Sequence, residues 1–239
     1  TYTLTNTANV EIFSATSFTL SLSDTDKATL NQIVNKNGTT STSATTYDID
    51  GAAGFIAASP AVSDTGVNGV TVSNVAVPTI TSAAYDASTG VLTVTGTGML
   101  KLSGASNDID VTKLTLTGEG GATRTLTSSN VEISSGTGFS VTLNATDKTA
   151  VNLIINKDGT TSADTTTYNL AAAEDWAKGA AAAVNVVDTT ANGITASGVP
   201  NNAPTLGGTF TTAGTVNDNA TTTPFSAVTV SDADADNVS

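Results

Sequence analysis

The chain has 239 residues, of which 38% are hydrophobic, 5% aromatic and 12% charged, and its formal net charge at pH 7 is −13. It contains no His and no Cys, which excludes disulfides, the usual zinc, copper and haem ligands, and catalysis by an imidazole or a thiolate. Because the few basic residues are scattered, a phosphate backbone would be repelled, and we expect no nucleic-acid partner.

Much of the first part of the chain recurs further along. The segment 10–12 (VEI) recurs 121 residues later at 131–133, and the same offset relates Asp26 to Asp147. From Asp64 onward the match continues at an offset of 124, with Asp188 as its counterpart, so three residues are inserted between these points. A repeat of this length is the size of a self-contained domain and is too long for one turn of a solenoid.

The repeat divides the chain into three parts. We expect residues 1–78 to be the C-terminal part of one repeat unit, residues 79–201 to be a complete second unit, and residues 202–239 to be the N-terminal part of a third module. The first unit has no counterpart of residues 79–123. We therefore expect it to be partly exposed or to be completed by strands from another chain.

The complete unit is dominated by short segments in which apolar and polar residues alternate and β-branched residues are enriched. Gly, Asn, Asp and Ser separate these segments, as is typical of turns between strands. The predicted strands are 79–85, 90–96, 111–118, 123–127, 130–134 and 139–144. The sequence therefore predicts a mainly β fold.

Three segments break the alternation. Residues 146–159 and their counterpart 23–38 place apolar residues at helical spacing, with Thr146 or Asp147 available to cap the start of the later helix. A second helix is predicted at 171–183, with Trp176 as its apolar anchor. Each unit is then expected to be a β-sandwich that carries one or two short helices.

The strongest chemical signal is the alternation of Asp232, Asp234 and Asp236. Three carboxylates at this spacing repel one another unless the chain turns around a cation, and Ca²⁺ prefers oxygen ligands. An EF-hand loop begins with the same spacing, but Asn237 stands where that loop requires Gly.

Two segments carry a resemblance to known families. NNAPTLGGTF at 201–210, followed by VSDADADN at 230–237, resembles the opening of cadherin-like modules in giant bacterial surface proteins, many of which are exported by type I secretion. PTITSAAYDASTGVLTVTGTG at 78–98 is similar to the first strands of bacterial immunoglobulin-like (Ig-like) repeats in the same proteins. The resemblance implies tandem Ig-like β-sandwich modules on the bacterial cell surface, with calcium near the module joints. It also implies Asp232, Asp234 and Asp236 as calcium ligands, with Asn202 as a further one.

Other residues admit two interpretations. Asn107, Asp108 and Asp110 form a second candidate metal site, and the alternative is a polar loop. Helix capping is the favoured role for Asp26 and Asp147. Trp176 and its counterpart Phe55 are favoured as core anchors over a sugar-stacking platform.

We do not expect an enzyme, because the carboxylate pair Glu174-Asp175 would point to different faces of the predicted helix and no His accompanies a Ser or Thr. The sequence instead favours a calcium-stabilised structural segment of a large extracellular surface protein, such as an adhesin stalk. Its partners would be neighbouring repeats of the same chain, and no membrane span is expected. One alternative is a surface-layer or filament subunit that pairs with its own copies through strand edges. Another is a module that binds a glycan or a host protein.

Overall fold

The computed structural model describes residues 1–200, 205–208 and 227–231, and the fold over these residues is mainly β, as the sequence predicts. Two α-helices occur in this part of the chain, α1 (Asp24–Asn31) and α2 (Ala145–Ile154). Neither has the length and apolar character needed to cross a membrane.

Eight strands lie in the second unit and two in the third module. They are β1 (Thr79–Asp86), β2 (Val91–Thr97), β3 (Leu114–Thr117), β4 (Thr123–Thr125), β5 (Ile133–Ser135), β6 (Gly138–Thr142), β7 (Asn169–Ala172), β8 (Ile194–Ser197), β9 (Thr205–Gly208) and β10 (Val228–Ser231). Short 3-10 turns at Val111–Lys113 and Glu119–Gly121 flank β3.

The second unit contains two sheets. The larger has the strand order β5-β6-β2-β1-β8, in which β1 and β8 are parallel and all other neighbours are antiparallel. The smaller has the order β4-β3-β7 and is antiparallel. In the third module, β9 pairs with β10 in an antiparallel ladder.

Both sheets contribute side chains to a single apolar core. Along β2 every second residue is buried, which is the pattern that period-two alternation dictates for a strand with one face inward. The largest fully buried side chains include Trp176, Tyr85 and Phe139, and the core cluster spans Ile80 to Ala196. The second unit therefore closes its own interior.

The first unit is built differently. Residues 1–78, all of which the structure describes, contain α1 and isolated β-bridges but no extended strand. Of the buried apolar side chains only Ala28 and Tyr47 belong to this stretch. Residues 1–78 therefore bury far fewer apolar side chains than the second unit does.

The helix predicted at 171–183 is wrong. Residues 169–172 form β7, and the following residues make a series of turns in which Asp175 adopts a positive φ of 64°. The run of Ala favours a helix, but the N–H of Ala172 donates to the Asp188 carbonyl (2.6 Å) and so continues the sheet. Tertiary pairing overrides the local propensity here.

The cap predicted for α2 is also corrected. Neither Thr146 nor Asp147 occupies the N-cap position. Asn144 does, and its side-chain oxygen accepts from the N–H of Asp147. Ser23 has the same role in α1, where its hydroxyl oxygen accepts from the N–H of Asp26. Asn and Ser are among the best N-cap residues because a short side-chain oxygen reaches the free N–H groups of the first turn.

Candidate functional site

Asp147 is a fully buried carboxylate at the start of α2, and hydrogen-bond donors surround it. Arg124 donates to Oδ1 from Nη2 (2.6 Å) and from Nε (3.1 Å). The N–H of Thr127 (2.7 Å) and the hydroxyl of Ser128 (2.6 Å) donate to Oδ2. Burial alone would raise the pKa of Asp147, but the bonds from Ser128, Arg124 and Thr127 outweigh it and lower that pKa to about 2.

The first unit repeats this arrangement around Asp26. The hydroxyls of Tyr2 and Thr7 each donate to the Asp26 carboxylate at 2.6 Å, and the N–H of Asn6 donates at 3.1 Å. Burial raises the pKa of Asp26, and the bonds from Thr7 and Tyr2 more than offset this effect, so that the pKa lies well below its usual range. A Tyr hydroxyl here replaces the Arg124 guanidinium of the second unit.

A hydroxyl links each carboxylate to the cap of its helix. Ser128 donates to Asp147 and accepts from the N–H of the N-cap residue Asn144 (2.9 Å). Thr7 donates to Asp26 and accepts from the N–H of the N-cap residue Ser23 (3.0 Å). The predicted role in capping is therefore indirect, because each carboxylate fixes the preceding loop against the helix start.

Asp108 is buried in a second polar cluster. Its carboxylate accepts from the N–H of Leu102 (2.6 Å) and the N–H of Ile133 (2.9 Å). Burial raises the pKa of Asp108 in spite of these two donors, and the nearby charge of Glu132 raises it further.

Glu132 is the acidic neighbour of Asp108 in this cluster. The N–H of Asn107 donates to its Oε1 at 2.8 Å, and Lys101 Nζ lies 3.5 Å from its Oε2. The Asn107 N–H, together with Lys101, lowers the pKa of Glu132. The sequence reasoning missed Glu132, although its counterpart Glu11 in the repeated segment was a signal that could have identified it.

Asp110 has different partners. Its carboxylate accepts from the hydroxyl of Thr112 at 2.6 Å and lies 3.3 Å from Lys178 Nζ. Burial opposes ionisation, but Thr112 and Lys178 prevail and lower the pKa of Asp110.

The three residues Asn107, Asp108 and Asp110 therefore do not form a shared oxygen cage. Both oxygens of Asp108 are occupied by backbone N–H groups, and Asp110 is neutralised by a lysine. Over residues 1–200, 205–208 and 227–231 no three acidic side chains are grouped so as to hold a metal ion. The predicted ligands Asp232, Asp234 and Asp236, and Asn202 with them, lie outside the described residues.

The two aromatic residues predicted as core anchors, Trp176 and Phe55, differ in their exposure to solvent. Trp176 is 0% exposed, and its Nε1 donates to the Val186 carbonyl (2.7 Å), so it is a core residue and offers no platform to a sugar. Phe55 was predicted to be an anchor as well. It is instead 45% exposed, so the predicted anchoring in a core is wrong for this residue.

The chain matches no family model, no curated protein and no solved structure.

The first unit exposes apolar side chains whose counterparts in the second unit are buried, and we call this set the open face. Phe18 is 49% exposed and its counterpart Phe139 is 1% exposed, while Ile49 is 55% exposed and its counterpart Leu170 is 0% exposed. The apolar side chains of the open face are Ile12, Phe18, Ile49, Phe55 and Val62. All five positions are buried in the second unit, so in the first unit the same apolar positions are accessible from outside.

Proposed function

We propose that the chain is a non-catalytic structural segment of a large extracellular bacterial surface protein, made of tandem Ig-like β-sandwich repeats. Such a segment would act as a spacer or stalk in adhesion. The observation that carries the proposal is the duplicated network around Asp26 and Asp147, in which each carboxylate serves its own loop and helix start.

This use of buried carboxylates supports a mechanical role over a chemical one. A catalytic acid or base must reach a substrate proton. Asp147 has no exposed surface, and five donor groups on three residues saturate its oxygens. Charge-assisted hydrogen bonds of this kind tie loops to helices and resist separation.

Single-molecule pulling of the 239-residue chain tests the proposed role. We expect the second unit to unfold in one reproducible event, with a gain in contour length of roughly 400 Å for its extended chain. The matched variant Asp147→Asn should unfold at a lower force with the same gain in length. Gradual extension without an event would contradict a load-bearing role.

Calcium stabilisation is part of the proposal and rests on the sequence of the third module. We expect Asp232, Asp234 and Asp236 to bind Ca²⁺, so that addition of a chelator lowers the melting temperature. Binding at 100 times the dissociation constant would add about 2.7 kcal/mol to the free energy of unfolding. The control is the triple variant Asp232→Asn, Asp234→Asn, Asp236→Asn, in which the chelator should have no effect. A melting temperature of the unaltered chain that ignores the chelator would remove calcium from the proposal.

One alternative function has an observation in its favour. The exposed apolar side chains of the open face are suited to association between chains, as in a surface layer or filament. Light scattering across a range of concentrations distinguishes the two. A monomer at all concentrations supports the stalk, and growth into extended assemblies supports the subunit.

A further inference from the structure

Three stretches of the first unit correspond to strands that are paired in the second unit. Residues 17–21 correspond to β6, residues 48–51 to β7, and residues 70–73 to β8. In the second unit β6 pairs with β2, β7 with β3, and β8 with β1. Among the described residues none of the three stretches of the first unit has such a strand beside it.

All three missing partners come from one continuous piece of sequence. The strands β1, β2 and β3 lie within residues 79–121, which we call the front segment. In the second unit the front segment places Val94 beside Phe139 and Leu116 beside Leu170. The open face of the first unit is thus the surface that a front segment covers in the second.

The first unit also retains polar groups that meet the front segment in the second. Asn152 on α2 accepts from the Tyr85 hydroxyl (2.6 Å) and donates to the Ala87 carbonyl (3.2 Å), which ties the helix to the end of β1. Its counterpart Asn31 donates instead to the Gly179 carbonyl at 3.3 Å.

The acidic residue is retained as well. Glu132 accepts from the N–H of Asn107 in the front segment, and its counterpart in the first unit is Glu11. Glu11 is exposed, with no front segment beside it. The apolar positions and the carboxylate are therefore retained without the contacts that their counterparts make, whereas the Asn31 amide is bonded to the second unit.

We propose that the open face is an acceptor site for the front segment of a further copy of this repeat, which adds three strands and closes the core of the first unit. The occupant is specified because the same surface in the second unit is an established interface with residues 79–121. This proposal rests on the repeat itself and not on the proposed stalk role, so the failure of either leaves the other standing. Addition of strands to open edges gives backbone hydrogen bonds, and the apolar pockets give register.

The direct test fuses a second copy of residues 79–121 ahead of Thr1, whose counterpart in the second unit is Ala122. Amide hydrogen exchange at residues 17–21 should slow by about 100-fold or more relative to the unfused chain. Protection of β6 in the same sample reports that the second unit is folded. Unchanged exchange at 17–21 with β6 protected would overturn the proposal.

The matched control is the same fusion with Tyr85→Ser, Leu92→Ser and Leu116→Ser in the added copy only. It keeps the length and the turns but removes the inward apolar side chains, so exchange at 17–21 should stay as fast as in the unfused chain. Equal protection by this control would show non-specific coverage and would contradict the proposed recognition.

A cross-link tests the register independently. Thr93 and Ser140 face each other across β2 and β6, with their hydroxyl oxygens 3.3 Å apart, and Thr19 is the counterpart of Ser140. Because the chain has no cysteine, Thr93→Cys in the added copy and Thr19→Cys should form one disulfide on oxidation. The control Ser21→Cys, two residues out of register, should not. Two results would overturn the proposal. One is equal cross-linking of the Thr19→Cys and Ser21→Cys variants, and the other is no cross-linking of either variant in a fusion whose β6 is protected.

A second copy could instead cover the open face with its own open face. Light scattering on the unfused chain decides this point. We expect no concentration-dependent dimer in which residues 17–21 become protected. Such a dimer would make a second open face the occupant and would overturn the proposed one.

Discussion

The two repeats share their loops and helix starts but not their interiors. Tyr168 accepts from the N–H of Lys157 and donates to its carbonyl, both at 3.1 Å, and Tyr47 does the same with Lys36 at 3.0 and 3.1 Å. Ten large apolar side chains are nevertheless exposed within residues 1–78, and only two within residues 79–200. Local polar motifs therefore form without a large core, whereas the extended sheets and most of the buried apolar side chains occur in the unit that contains the front segment.

The largest expected effect on the free energy of unfolding distinguishes Trp176 from its counterpart Phe55. Trp176→Ala should lower the free energy of unfolding of the second unit by about 3 to 5 kcal/mol, because it empties a fully buried site. Phe55→Ala should change it by less than about 0.5 kcal/mol, as is usual for exposed positions. Chemical denaturation followed by circular dichroism measures both effects. Tryptophan fluorescence cannot be used, because Trp176→Ala removes the only Trp of the chain. Equal effects would contradict the difference between the two interiors.

The next effect concerns the buried carboxylates. Asp147→Asn removes the charge that faces Arg124 and should cost about 3 kcal/mol, the lower end for a broken buried ion pair because Arg124 is partly exposed. Asp26→Asn is the matched control and should leave the unfolding transition of the second unit unchanged. Urea denaturation of both variants checks this expectation. A shift of that transition by Asp26→Asn would mean that the two units unfold as one.

The same carboxylate predicts a pH dependence. Because the folded-state pKa of Asp147 is about 2 and its ordinary value is 3.8, the stabilisation is complete above pH 3.8 and is lost as the pH falls towards 2. Asp108, whose pKa is raised, acts in the opposite direction and offsets part of this loss. The free energy of unfolding, measured by denaturation at several pH values between 5 and 2, should therefore fall less steeply with decreasing pH for Asp147→Asn than for the unaltered chain. Parallel curves would show that Asp147 does not titrate as proposed.

The smallest expected effect tests whether the two repeats share a local motif around Tyr168 and Tyr47. Tyr168→Phe and Tyr47→Phe each remove a hydroxyl that bridges the N–H and the carbonyl of one lysine. The expected cost to the free energy of unfolding is about 1 kcal/mol for Tyr168→Phe. Tyr47→Phe should instead speed amide exchange at Lys36 without altering the melting of the second unit. In Tyr47→Phe, exchange at Lys36 that is unchanged or slower, or a lowered melting temperature of the second unit, would contradict a shared local motif.

The first six strands of the second unit were predictable because their alternation is local information, whereas β7 and β8 were not predicted. Segments 79–85 and 90–96 match β1 and β2 to within one residue at either end. The helix at 171–183 was predicted wrongly because Ala favours helix, while the N–H of Ala172 is used by a distant carbonyl. Long-range pairing of that kind has no signature in a single segment.

The polar clusters were only partly predictable. Asp26 and Asp147 were identified as residues of the helix start, but their hydroxyl partners Thr7 and Ser128 were missed. The signal was present, because each hydroxyl precedes its carboxylate by the same 19 residues in both repeats. The exposure of Phe55 could not be read from its own segment, since the equivalent segment of the second unit buries Trp176 completely.

Amide hydrogen exchange on the 239-residue chain tests the central claim most directly, which is that the second unit closes its own core while the first stands open. We predict strong protection of residues 139–142 in β6 and exchange close to that of an unfolded chain at their counterparts, residues 18–21. Comparable protection of the two stretches would contradict the account.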